Sequence, residues 1–218
     1  PATLFSGTGQ GFMLALAVLG LCATLRRAPW GRLREPVQLN LLLGFAVGLM
    51  LIWSMRAGVK PGLNLHMLGA MAATLALGPW FAVLALALTM SGLMLNGVIE
   101  WTDWPINFVL MVMLPIGFAH AFQRAVERWL PAHFFIFVFV IGFAGAALTV
   151  MVQGLVASAA MVFAGAYSAG FLLTEYLPFF LLLGFSEAWI SGAVITLMVV
   201  YRPGWVAAFD DRRYLLDK

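Results

Sequence analysis

Charge is scarce in this chain. Lys, Arg, Asp and Glu make up 10% of its 218 residues, against about 25% in an ordinary soluble domain. So few polar groups cannot clothe a water-facing globule, and 63% of the residues are hydrophobic, with a mean hydropathy of +0.99. A soluble fold is thereby excluded. Cysteine is nearly absent: Cys22 alone rules out an internal disulfide and a multi-cysteine metal centre. No charged residue precedes Arg26, so the basic segment that opens a signal peptide is missing. The first apolar run therefore reads as an anchor whose N-terminus lies outside. No basic run is interleaved with aromatics as nucleic-acid binding requires. There is no Gly-x-Ser-x-Gly, no phosphate-cradling glycine loop and no Cys-x-x-Cys, so the sequence offers no enzymatic motif.

What remains is apolar runs. A spanning helix needs about 20 mostly apolar residues, and runs of that kind fall at 4–25, 37–55, 63–78, 79–97, 105–122, 134–165 and 176–201. The expected fold is an all-α integral membrane protein, one polytopic domain over 1–218, with about seven transmembrane helices; six to eight bracket the number. "GPW" at 78–80 supplies a tight hairpin between the third and fourth runs. The run at 134–165 exceeds the hydrocarbon thickness, and is either one tilted helix or two helices broken near Gln153-Gly154. "AFQRAVERWLP" is amphipathic and reads as a continuation of the fifth helix beyond the apolar layer, while the tail 202–218 is too polar to span.

Basic residues orient the bundle. Arg26, Arg27, Arg32, Arg34, Arg124, Arg128, Arg202, Arg212, Arg213 and Lys218 share the loops and tail of one side, whereas Arg56 and Lys60 alone occupy the other. The positive-inside rule then predicts an N-terminus outside and a C-terminus in the cytoplasm. The outer side collects His66, Asn96, Glu100, Asp103 and Glu175. Glu100 and Asp103 form an acidic mouth able to attract cations within a screening length of about 8–10 Å; the plain alternative is a solvated loop with Trp101 and Trp104 in the aromatic belt.

Two residues carry more specific chemistry. His66 lies at the outer end of the third run, followed by Gly69, Ala70 and Ala73, whose small size lets another helix approach. Its imidazole suits nickel, cobalt, copper or zinc, with Asn64 or the Pro61-Gly62 backbone as acceptor for the second ring nitrogen. The alternative is a histidine that caps or bridges helices. Glu187 falls near the middle of the last run, where an acidic side chain costs roughly 2.5–3.5 kcal/mol and needs a partner or a proton. Gly184 and Ser191 share its face. It is either a proton or cation site or a structural acceptor for an amide such as Asn40, Asn107 or Gln153. Gly44 and Gly48 form a Gly-x-x-x-Gly suited to helix packing. The twelve methionines are scattered through apolar runs and read as packing.

The segments "GLNLHMLGAMAATLALGPWFAVLALAL", "LNGVIEWTDWPINFVLMVMLP" and "GFSEAWISGAVITLMVVYRP" resemble the CbiM/NikM family, the metal-capturing membrane subunits of energy-coupling-factor (ECF) cobalt and nickel importers. The likeness runs from about residue 58 to the C-terminus. It implies capture of Ni(II) or Co(II) at the outer face, with no covalent cofactor, and inward passage driven by a scaffold subunit and an ATPase pair. By the same resemblance His66 is the metal-binding histidine, Asn64 and Asn107 support it, and Glu187 is a buried structural or gating carboxylate. The family also binds metal through an N-terminal Met-His. This chain reads "PATLFSGTGQ" and has no histidine before His66; if Pro1 is near the true start, the family's square-planar nitrogen site does not form here.

Three functions follow as expectations. The first is a substrate-capture permease for a divalent transition metal. The second is an accessory or assembly subunit that keeps the fold inside a larger membrane complex without transporting. The third is a proton-coupled carrier centred on Glu187.

Overall fold

A computed structural model describes residues 4–60 and 63–216. Most of them are helical. The elements are α1 (Gly7–Arg27), α2 (Pro36–Ser54), an antiparallel hairpin of β1 (Ala57–Lys60) and β2 (Leu63–Leu65), α3 (Ala70–Leu77) and α4 (Pro79–Leu95). They continue with α5 (Trp101–Trp129), α6 (Ile136–Phe163), the short α7 (Ala169–Glu175) and α8 (Pro178–Tyr201). By length and composition α1, α2, α5, α6 and α8 can each cross a membrane, and α4 is a shorter apolar helix. The small hairpin is the one departure from an all-helical chain among the described residues.

The ends of these helices sort into two faces. On one, the Arg32 guanidinium reaches the Leu77 carbonyl at 3.5 Å, and the backbone N–H groups of Ala207 and Ala208 donate to Ala76 and Leu75 at 3.0 Å each. The tail therefore does not trail at the surface; it closes the C-terminal end of α3, whose last carbonyls would otherwise lack partners. Phe209 and Tyr214 bury against Phe137, and Glu127 of α5 meets Arg124 and Arg213, each at 3.5 Å. This is the arginine face. On the other, Arg56 donates to Val98 O at 2.8 Å and the Tyr176 hydroxyl to Asn64 O at 3.4 Å. The ammonium of Lys60 lies 4.3 Å from the Phe171 ring centre. His66, the 96–103 loop and the exposed Glu175 thus share a second face, as their positions in the sequence predict.

Of two runs, one takes an alternative that the sequence left open and the other differs from its reading. The run at 134–165 is unbroken: α6 passes Gln153-Gly154 as helix, and it opens to wider π-type winding over Ile136–Ala144 instead. Gly154 is there because Phe180 of α8 packs onto it; an added Cβ would overlap that ring. The run at 63–78 is helical only in its second half. β2 leads into an irregular segment, 66–69, and α3 begins after Gly69, whose φ of +65° is open to glycine at little cost. A Cβ on Gly69 would also overlap Leu49. All eight residues of α3 are buried, so this half-length helix runs through the centre of the bundle. Below it, the Gly78-Pro79 turn starts α4 as the sequence suggests, with Gly78 at φ +82° and Pro79 in the first helical turn.

Candidate metal-capture site

An irregular backbone inside an apolar bundle survives only if its polar groups find partners, because lipid offers none. The segment 64–69 finds them one by one. Asn64 O accepts from the Tyr176 hydroxyl. Met67 O meets the Nδ1 atom of His66 at 3.0 Å. Leu68 O accepts from Nε1 of Trp53 at 3.2 Å. The Leu68 and Gly69 N–H groups donate to Oε2 and Oε1 of Glu187 at 2.9 and 2.7 Å. Gly69 O then accepts from Ala73 N at 3.0 Å and opens α3. Tyr176, Trp53 and Glu187 come from three other parts of the chain, so the loop is held by the assembled bundle.

Glu187 is 1% exposed. Its carboxylate spends its lone pairs on the two backbone N–H groups and on the Ser191 hydroxyl, 2.9 Å away on the next turn of α8. This corrects the expectation of an amide partner: Asn40, Asn107 and Gln153 do not bond it. The physical reason is position. Glu187 meets the N-terminal end of α3, where free N–H groups and the helix dipole favour an anion. Ser191, on the same face of α8, does bond it as the sequence indicates.

His66 is 8% exposed and faces protein. Its ring lies 4.8 Å from that of Trp53, which is 1% exposed. With Nδ1–H donating to Met67 O, the remaining nitrogen, Nε2, keeps its lone pair; a hydrogen bond from one ring nitrogen fixes the tautomer in this way. The acceptor is thus Met67 O and not the Asn64 side chain, and Pro61-Gly62, the other expected acceptor, lies outside the described residues. The remaining candidates are dispersed. Asn64 is half-buried in β2 and Asn107 half-buried in α5; no hydrogen bond joins either side chain to His66 among the described residues. Glu100 is exposed and Asp103 half-buried on the histidine face, in the loop to which Arg56 bonds. The described residues bring no three of His, Cys, Asp and Glu close enough to hold an ion. Residues 1–3 lie outside the described residues. Gly44 and Gly48 also depart from expectation. No neighbour lies within 4 Å of a Cβ at either, and both line a groove of about 560 Å³ between α2 and α8. They pack against no helix among the described residues.

Sequence reasoning missed Trp53, the residue that both packs against the His66 ring and bonds the loop. The only signal was a tryptophan near a helix end, which reads equally well as an aromatic-belt residue.

The fold and site together define a polytopic α-helical membrane protein in which one apolar run is half extended and half helical, joined by a buried carboxylate to the last helix. A family model described as the cobalt uptake substrate-specific transmembrane region, CbiM, matches residues 1–205. The chain belongs to the CbiM family. A solved structure described as a truncated transition metal transporter superposes with a TM-score of 0.77 at 16% identity, covering 91% of this chain and 96% of that chain. At that identity the likeness shows the fold. No protein of curated function matches the chain. Membership of a cobalt-uptake family makes this a transition-metal uptake component of a membrane transport system and points away from an enzyme.

Proposed function

We propose that the protein is the substrate-capture subunit of an ECF importer for Ni(II) or Co(II), seated in a bacterial inner membrane with the histidine face outward and the arginine face in the cytoplasm. The observation that carries this reading is the imidazole of His66. It is held against Trp53 and bonded through Nδ1 to Met67 O, which presents Nε2 as a preformed nitrogen donor. The ion is substrate, so it binds and leaves; a single histidine supplies one donor, and other ligands complete its shell. Asn64 and Asn107 are the supporting residues closest in kind, and Glu100 and Asp103 raise local cation concentration at the mouth. The arginine face supports the orientation and offers partner subunits, a scaffold and an ATPase pair, a basic surface.

A second reading is supported by the donor count. Because no three candidate side chains converge among the described residues, the fold would also serve as an accessory subunit of a larger membrane complex that does not itself move metal. Purification under mild detergent, paired with uptake of radioactive nickel or cobalt by cells expressing the protein with its natural neighbours, separates the two. Co-purifying ATPase and uptake that fails with His66→Ala support import. Partners from a different complex, with uptake indifferent to the protein, support the accessory role and contradict import.

A further inference from the structure

We infer that Glu187 is the positioning residue of the capture site: from the middle of α8 it sets where the His66 ring stands, without touching the ion. This rests on His66 being a ligand. The path is short. Glu187 holds Leu68 and Gly69 by their N–H groups at 2.9 and 2.7 Å. The carbonyl of Leu68 receives the Trp53 indole N–H, and Trp53 forms one wall against the His66 ring. The carbonyl of Met67, between Leu68 and His66, receives Nδ1. Both groups that fix the imidazole, the Met67 carbonyl and the Trp53 ring, are therefore set by a backbone that the carboxylate anchors. No helix hydrogen bond competes for the anchor, because α3 does not begin until Ala70. Two donors on one carboxylate define the peptide plane as well as its distance, and a single acceptor would leave it free to rotate. Ser191 donates to Oε1 from one turn further along α8 and keeps the carboxylate aimed at the loop.

A purely structural weld between α8 and α3 is the competing account, and a control on the same helix distinguishes it. Gly192 packs against Phe143 of α6, where an added Cβ would overlap the ring. Gly192→Ala disturbs the seating of α8 without touching the loop. Nickel affinity of the purified full chain is measured by titration alongside its thermal midpoint, with cobalt absorption as a readout of ligand geometry. Glu187→Gln keeps one acceptor and turns an amide N–H₂ toward the other backbone donor; removal of an outer-shell partner of this kind is expected to cost about 10- to 100-fold in affinity and to shift the cobalt bands. Gly192→Ala, at an equal or larger loss of thermal midpoint, keeps affinity and bands near those of the unaltered chain. Should Glu187→Gln fail to fold, Ser191→Ala removes only the aiming bond, with a loss of roughly two- to tenfold. Unchanged affinity in whichever of these two variants folds, or an equal decline in Gly192→Ala, overturns the inference. If His66→Ala binds nickel as well as the unaltered chain, the ligand assignment itself has failed, and the positioning role falls with it.

Discussion

The Gly69 N–H donates to Oε1 of Glu187 at 2.7 Å, joining positions 118 residues apart in the chain. Through this bond the last helix is joined to the third apolar run at the point where its backbone turns from extended to helical. Gly69 has no substitute there. Alanine at 69 would have to adopt a left-handed backbone, at about 1–2 kcal/mol, and would press its Cβ into Leu49. Gly69→Ala is expected to lower the thermal midpoint of the purified protein measurably, whereas Gly44→Ala, whose Cβ would meet open space, leaves it unchanged.

Trp53 allows a finer test. Trp53→Phe keeps an aromatic wall beside His66 but removes the donor to Leu68 O. A buried carbonyl left without a partner costs about 1–3 kcal/mol. The variant is expected to lose stability in that range and to bind nickel more weakly than the unaltered chain, yet better than His66→Ala. Parallel unfolding and titration measurements read both.

The docked tail responds to alkali. Burial first, then the Glu127 carboxylate beside it, push the Tyr214 phenol up to about 12, against an ordinary value of 10.0. The folded state thus disfavours the tyrosinate. Its contribution to docking is complete below pH 10, where the phenol is neutral in both docked and free tails, and is lost as pH rises through 10 to 12, where the free tail ionises first. Limited proteolysis is expected to find the tail protected at neutral pH and cut progressively above pH 10. In Tyr214→Phe this alkaline transition is weakened.

Much of this was legible in the residues. Apolar runs marked the five helices long enough to cross a membrane, and "GP" at 78–79 marked the turn between α3 and α4, because bilayer thickness and proline geometry act locally. The pairing of Glu187 with Ser191 followed from helical spacing on one face. What was not legible is where a run stops being helical. Nothing in "NLHMLGAMAATLAL" separates an extended stretch from a helix, since both are apolar and the choice is made by partners more than a hundred residues away, at Tyr176 and Glu187. The docked tail escaped notice for a similar reason: Ala207 and Ala208 act through backbone N–H groups, which every residue type but proline carries. Gly44 and Gly48 show the converse, a packing motif with no partner among the described residues.

The topology can be mapped independently. Single cysteines placed at Arg34 and at Glu100, in a chain whose Cys22 has been replaced, are expected to label from opposite sides in sealed vesicles or cells, with position 100 accessible from outside. Labelling of position 34 from outside would reverse the proposed orientation and place His66 toward the cytoplasm.

Equilibrium binding of Ni(II) and Co(II) to the purified protein, compared with His66→Ala across pH, tests the account most directly. The predicted result is saturable binding by the unaltered chain that weakens as acid protonates the imidazole, whose ordinary value is near 6.5, together with loss of that binding in a His66→Ala variant that folds normally. Equal affinity in the two proteins at every pH would contradict it.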